Sequence, residues 1–322
     1  MRKKTTPHLV SIVIPLYNEA QNLPLLHAEL TKVLMSLPYK FEFLLVDDGS
    51  TDSTYSIIEQ LHQKDRRIKG ISFSRNFGHQ AALTAGFQFA RGDGVITMDG
   101  DLQHPPDLIP TLLKHWERGA QVVNTIREKT EGEPMMKRIT SRLFYRILNS
   151  SSKTKVHPFA ADFRLLDRKV VESLNTIKER DRFLRGLISW VGYTSVGVPY
   201  KAQLRAGGRS KYTFGRMLHL AVDGITSFSA TPLHLVTYFG LVVSCLSFLS
   251  GAYSIYAHFF TSLTIPGWTT LVVTVSFLGG LQLISIGVLG EYLIRVYNET
   301  KGRPLYIVKE SLGFVTGKKS RP

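Results

Sequence analysis

Val95-Ile96-Thr97-Met98-Asp99-Gly100-Asp101-Leu102-Gln103 decides how the first half of this chain is read. A short apolar run ends in two carboxylates one residue apart. Residues just past the carboxyl end of a strand line the ligand crevice of an α/β sheet. Two carboxylates there can hold a hard divalent cation, and that cation can bridge the phosphates of a nucleotide. A solvated acidic turn is the alternative, so the neighbouring segments have to decide.

Working outward, apolar runs alternate with helical patterns. Val10 to Pro15 reads as a buried strand, followed by Leu25, Leu26, Leu30, Val33 and Leu34 at helical spacing. Phe41–Val46 is a second strand, ending in Asp47-Asp48-Gly49-Ser50-Thr51-Asp52, a turn with a helix N-cap at Asp48 or Ser50. A helix through Ile57, Ile58 and Leu61 follows, then a short strand Gly70–Phe73, a helix from His79 to Ala90, and Val95–Met98. The alternation predicts a mostly parallel, doubly wound sheet. Three strand ends carry polar clusters: Tyr17-Asn18-Glu19, Asp47-Asp48 and Asp99/Asp101. In a parallel sheet these share one edge, which points to a nucleotide site. Neither a dinucleotide fingerprint nor a Walker loop is present.

Forty Lys and Arg against 25 Asp and Glu give a formal charge of +15, which calls for a polyanionic partner. The distribution chooses among the candidates. Gly224 to Gly290 contains no Asp, Glu, Lys or Arg, and holds two apolar stretches, 233–257 and 268–290. Each is long enough to cross about 30 Å of hydrocarbon as a helix. The connector between them lacks Lys and Arg, whereas both flanks are basic. The positive-inside rule therefore places both termini in the cytoplasm of a multi-pass protein of the cell membrane. Basic residues beside the spans suit an anionic membrane, and no zinc-finger or RNP-like pattern supports nucleic acid. Cys245 is the single cysteine, expected as a small buried hydrophobe, and no cleaved signal peptide is expected at the start. Lys137–Leu148 alternates basic and apolar residues as an interfacial amphipathic helix would. The expected domains are the α/β domain over 1–223, a transmembrane hairpin over 224–295 and a basic cytoplasmic tail over 296–322.

Ile14-Pro15-Leu16-Tyr17-Asn18-Glu19, Val46–Asp52, Ser74-Arg75-Asn76-Phe77-Gly78-His79 and Met98–Gln103 resemble family 2 glycosyltransferases of the GT-A fold. Within that family the chain is similar to the polyprenyl-phosphate group, which holds dolichol-phosphate mannose synthases and, most alike, bactoprenol glucosyltransferases. Ala161–Leu166, Arg182–Gly186, Gly208–Tyr212, Asp223–Ser229 and Gly287–Tyr292 extend the likeness over nearly the whole chain. Gly100 stands where the family usually has Ala, a swap expected to be neutral. His104 stands where it usually has Asp or Asn, leaving that position without an assigned role.

The resemblance implies an inverting transfer from a nucleotide sugar, UDP-glucose first, to a polyprenyl phosphate. A GDP-mannose or aminoarabinose-type donor is the alternative, and a non-enzymatic membrane scaffold the rival outside enzymology. It implies Mg²⁺ or Mn²⁺ on Asp99, Asp101 and Gln103, with Pro15, Tyr17, Glu19, Asp47 and Asp48 around the nucleotide. Tyr17 equally fits ordinary packing. Asp162 falls near the acceptor as a base or as a positioning charge, a turn cap being the alternative. Arg127, Arg138, Arg205, Arg209 and Lys211 are candidates for phosphate contacts, some of them being plain membrane-surface charges. The histidines, His79 included, lack metal-ligand spacing and read as structural. A homo-oligomer is compatible with all of this.

Overall fold

The computed structural model describes residues 8–127, 160–180, 182–200 and 267–314, with parts of 236–260. Contacts divide the chain into two units, one of residues 1–149, 154–213 and 303–322, the other of 150–153 and 214–302.

The first unit is built on eight strands: β1 (Leu9–Leu16), β2 (Lys40–Asp47), β3 (Ile68–Phe73), β4 (Gly94–Thr97), β5 (Val122–Arg127), β6 (Ala160–Asp167), β7 (Ser195–Tyr200) and β8 (Val308–Leu312). Their order in the sheet is β7-β5-β6-β4-β1-β2-β3-β8. The helices are α1 (Leu23–Leu34), α2 (Thr54–Lys64), α3 (His79–Phe89), α4 (Ile109–Glu117), α5 (Arg168–Thr176) and α6 (Leu184–Trp190). β1 and β2 are buried along nearly their whole length, as expected of strands covered on both faces. Phe43, Ile12, Ile14, Leu26, Leu30 and Ile58 are among the largest side chains of the core. On α1 the buried stripe is Leu23, Leu26, Leu30 and Leu34, while Leu25 is 58% exposed, so the helix is rotated away from the face that included Leu25.

The sheet is mixed rather than mostly parallel. β3, β2, β1 and β4 run parallel, as do β5 and β7, but β6 enters antiparallel between β4 and β5, and β8 is antiparallel to β3. The β/α alternation governs only the part up to β4. From β1 the chain winds outward through β2 and β3, then returns to lay β4 on the other side of β1. The carboxyl ends of β1 and β4 therefore flank the point where the winding reverses, the place where open α/β sheets bind ligands.

Within the expected tail over 296–322, residues 303–314 belong to the sheet unit. β8 closes the β3 edge, Ser74 N–H donates to the Ile307 carbonyl at 3.0 Å, and Tyr306 stacks on Phe73 with ring centroids 4.8 Å apart. An edge strand with open hydrogen-bonding groups is thereby covered.

In the second unit, helix α7 runs unbroken from Trp268 to Thr300, past the expected end at 290. Among the described residues one helix segment, Phe277–Thr300, is long and apolar enough to cross a membrane, and none of it is buried. Residues 236–243 are helical apart from this, and about half of the expected 233–257 span lies outside the described residues, so among the described residues one candidate span stands where two were expected. Cys245 is exposed rather than buried. The Lys137–Leu148 segment lies outside the described residues.

Candidate active site

The site forms at the carboxyl ends of β1, β2 and β4 and at the start of β6. The 17–20 and 48–54 loops are zipped together. Asn18 adopts φ 56°, and its side-chain oxygen accepts from Thr51 N–H at 2.9 Å. Asn18 N–H donates to Ser50 Oγ at 2.9 Å, and Glu19 N–H donates to Thr54 Oγ1 at 3.0 Å. Pro15 is buried in β1, Glu19 is half-buried, and Tyr17 keeps 42% of its surface exposed at the rim.

Asp47 and Asp48 are both buried, and neither caps α2. The N–H of Thr54 at the start of α2 is met by Asp52 Oδ1 at 3.0 Å instead. Asp47 accepts from Ser50 N–H at 3.1 Å and from Ser72 Oγ at 2.8 Å. Asp48 accepts from Phe77 N–H at 2.7 Å and Gly78 N–H at 2.9 Å. Burial raises the Asp48 carboxyl above its ordinary value, with Asp47 adding to the rise and those two N–H groups opposing it. Asp48 thus fixes the loop that delivers His79 to the head of α3.

The antiparallel placement of β6 brings the acidic residues together. Thr97 pairs with Arg164. Asp99 lies two residues past Thr97, and Asp162 two residues before Arg164 on the antiparallel strand, so the two carboxylates fall at the same end of this pairing. Thr97 Oγ1 donates to the Asp162 carbonyl at 2.5 Å and locks the junction. His79 bridges the pair, its Nε2 lying 3.5 Å from Asp162 Oδ2 and 3.8 Å from Asp99 Oδ1.

Asp162 is 11% exposed and clamped by two guanidinium groups. Arg164 Nη2 donates to Oδ1 at 2.8 Å; Arg185, on α6, donates from Nε to Oδ1 at 3.0 Å and from Nη2 to Oδ2 at 2.8 Å. Burial alone would raise this carboxyl, but Arg185, His79 and Arg164 outweigh it and hold it well below the ordinary carboxylate range. A carboxylate so committed is a weak proton acceptor. For His79, burial lowers the imidazole's proton affinity, yet Asp162 and Asp99 more than offset it and raise the pKa, favouring the cation.

The Asp99–Gln103 turn packs against the end of β1. A Cβ on Gly100 would lie 2.6 Å from Leu16 Cδ2, the far end of a flexible side chain, so an Ala here asks only for a small shift of Leu16. Leu102 turns the chain with φ 63°, and Gln103 N–H donates to Asp101 Oδ1 at 3.2 Å. Desolvation raises the Asp99 carboxyl, with Asp162 and Asp101 adding to the rise while His104 and His79 oppose it. An anion crowded in this way is stabilised by an added cation, and two carboxylates with an amide oxygen are the hard donors that Mg²⁺ or Mn²⁺ accepts. Among the described residues no three His, Cys, Asp or Glu side chains form a closed cage, so a cation here would share its shell with phosphate or water.

His104 is buried, stacked on Phe163 at 5.3 Å and edge-on to Tyr200 at 6.2 Å. Burial holds its pKa below the ordinary value. Arg127, at the end of β5, is close enough to act electrostatically on both His104 and Tyr200. Of the candidate phosphate contacts it alone is described; Arg138, Arg205, Arg209 and Lys211 lie outside the described residues. Sequence reasoning gave no site role to His79, His104, Arg164 or Arg185. The two arginines sit in Ala161–Leu166 and Arg182–Gly186, segments that carry the family resemblance, which was the available signal.

Residues 11–174 match the family described as Glycosyl transferase family 2. An uncharacterized glycosyltransferase of Synechocystis sp. is 42% identical over 304 residues, covering 94% of this chain and 96% of the relative. The SfII prophage-derived bactoprenol glucosyl transferase of Shigella flexneri is 41% identical over 302 residues, covering 94% and 98%. A prophage bactoprenol glucosyl transferase homolog of Escherichia coli is 40% identical over 300 residues, covering 93% and 98%. With its GT-A-like mixed sheet and a polar site at the β1/β4 reversal, the chain belongs to glycosyl transferase family 2 and is a glycosyltransferase.

Proposed function

We propose that this enzyme transfers glucose from UDP-glucose to a polyprenyl phosphate, undecaprenyl phosphate in a bacterial setting, at the cytoplasmic face of a membrane. The observation that carries the reading is the juxtaposition of Asp99 and Asp162, bridged by His79. It supports a donor diphosphate on the Asp99 side and an acceptor phosphate on the Asp162 side. Relatives that are bactoprenol glucosyl transferases along nearly their whole length support the lipid acceptor.

Asp99, Asp101 and Gln103 would hold Mg²⁺ or Mn²⁺. When bound, the cation offsets the charge that builds on the leaving nucleoside diphosphate. Pro15, Tyr17 and Glu19 line the nucleotide cleft, with Asp47 and Asp48 fixing the loops that shape it. Asp162, held by Arg164 and Arg185, orients the acceptor side rather than removing a proton. A phosphate monoester is largely dianionic at neutral pH, with a second pKa near about 6, so its oxygen needs no base. That oxygen attacks the anomeric carbon from the face opposite UDP, giving one displacement and a β-linked product. Arg127 would contact a phosphate, with Arg138, Arg205, Arg209 and Lys211 as further candidates. The unburied apolar α7 supports membrane anchoring, which keeps the lipid headgroup within reach. The hairpin topology with both termini cytoplasmic, and any homo-oligomer, belong to this proposal.

The test is a donor panel. UDP-glucose, GDP-mannose and a UDP-aminoarabinose donor are each mixed with undecaprenyl phosphate and Mn²⁺. Nucleotide release and the anomeric configuration of the product are then read. UDP-glucose should react fastest and give the β-anomer. Faster release from another donor would replace glucose, a retained α-anomer would overturn the single displacement, and release from no donor would sink the reading.

A further inference from the structure

His104 is the residue that neither the D-x-D-x-Q pattern nor the acceptor side accounts for. It is 5% exposed, yet both ring nitrogens face Asp99. The Asp99 backbone N–H donates to Nδ1 at 3.0 Å, and Nε2 lies 3.8 Å from Asp99 Oδ2. A nitrogen that accepts from an amide carries no proton itself, so in this arrangement the hydrogen sits on Nε2, on the side of the carboxylate. The ring plane is set by the Phe163 stack, and Phe163 lies between Asp162 and Arg164 on β6. One side chain therefore ties the backbone and carboxylate of Asp99 to the strand that carries Asp162.

We propose that His104 is a positioning residue that fixes the orientation of Asp99 for a divalent cation and sets its spacing from Asp162. The inference rests on the cation and donor reading above. Without the imidazole acceptor, the part-buried Asp99 N–H would lose the partner it has here, and the turn through Leu102, whose φ is 63°, would be free to rotate the peptide. The ring is not a ligand. It acts through Asp99, as partners behind a metal-binding side chain do.

The test uses the full-length protein in detergent and measures Mn²⁺ binding in the presence of UDP by the paramagnetic resonance signal of free Mn²⁺, with no acceptor and no turnover. His104→Phe keeps an aromatic ring for the Phe163 stack and removes the acceptor. His104→Asn places a side-chain oxygen near the position of Nδ1. The phenylalanine variant should bind Mn²⁺ about tenfold or more weakly, and the asparagine variant should recover to within about threefold of wild type. Melting temperature reports folding for each. Equal Mn²⁺ affinity in His104→Phe and wild type overturns the inference, as does an asparagine variant that folds but binds no better than phenylalanine. If phenylalanine does not fold, the same comparison is made between His104→Asn and His104→Leu. Wild-type protein that binds no Mn²⁺ with UDP fails the donor reading itself and takes this inference with it.

Discussion

Arg185 grips Asp162 with two parallel hydrogen bonds, Nε to Oδ1 at 3.0 Å and Nη2 to Oδ2 at 2.8 Å. The fork geometry matches guanidinium to carboxylate and leaves little freedom for either. Arg164, only 4% exposed, approaches the same carboxylate from within the sheet. The cluster is an ion-pair network in which one carboxylate is shared between two guanidinium groups.

The first expectation concerns pH. Because Asp162 is held well below the ordinary carboxylate range, its ionisation contributes stability that is full above its unfolded value and is lost as pH falls through the depressed folded value. It therefore stays ionised across the working range and should produce no acid limb between about pH 5 and 8 in kcat. Asp162→Asn should lower turnover without shifting the pH profile, and should cost about 3 kcal/mol of stability by taking a carboxylate away from the buried Arg164. An acid limb that vanishes in Asp162→Asn would restore the base assignment.

Asp99→Asn and Asp101→Asn test the cation site from its first contacts. Both lie on a turn rather than in the core, so melting temperature should change little. Turnover should fall by at least about a hundredfold, some 2.7 kcal/mol. Wild-type activity should vanish in excess chelator and return with Mg²⁺ or Mn²⁺. Full activity in chelator would remove the metal from the mechanism.

The Asp99–Gln103 segment and the three polar strand ends were legible because strand ends and short turns are local in sequence. The antiparallel strand β6 was not. Its pairing with β4 joins Thr97 to Arg164, a contact set by tertiary packing across 67 positions of sequence. With β6 unread, the sheet looked mostly parallel, and the Asp162 clamp was invisible. Asp48 shows a competition that local pattern hides: it could cap the next helix, but the N–H groups of Phe77 and Gly78 take its oxygens instead.

Topology can be read independently of chemistry. Reporter tags at Met1 and Pro322 should both face the cytoplasm, and one within Ser262–Pro266 should face outward. Termini on opposite sides would mean a single span, which the one apolar helix segment among the described residues would then account for alone.

Asp65 offers a stability probe far from the site. Burial would raise its carboxyl, but Arg67, bonded through Nε at 2.9 Å and Nη2 at 2.8 Å, and His27 lower it from 3.8 to about 2. The stabilisation is complete above the unfolded value of 3.8 and is lost as pH falls toward about 2. Arg67 is 41% exposed, so solvent screening reduces the effect to about 1 kcal/mol. Asp65→Asn should flatten the decline in melting temperature between about pH 4 and 2 relative to wild type. Parallel declines in the two proteins would show that the pair contributes nothing.

The segment after α7 gives the last expectation. Tyr306 stacks on Phe73 at 15° between ring planes, donates its hydroxyl to Gln88 Oε1, and precedes β8 on the β3 edge. Burial pushes its phenol up to about 12. The contact also reaches Phe77, which packs edge-on to Phe73 at 5.8 Å and whose N–H is held by Asp48. Loss of the ring should therefore loosen the sheet edge and the loop leading to His79 together. Tyr306→Ala should cost about 3 kcal/mol, the range for deleting a packed aromatic. Tyr306→Phe keeps the stack and should cost about 1 kcal/mol for the hydrogen bond. Hydrogen exchange at the amides of Phe77 and Gly78 should accelerate in the alanine variant and stay near wild type in the phenylalanine variant. Alanine and wild type with the same melting temperature and the same exchange would show that the segment does not dock on β3 in solution.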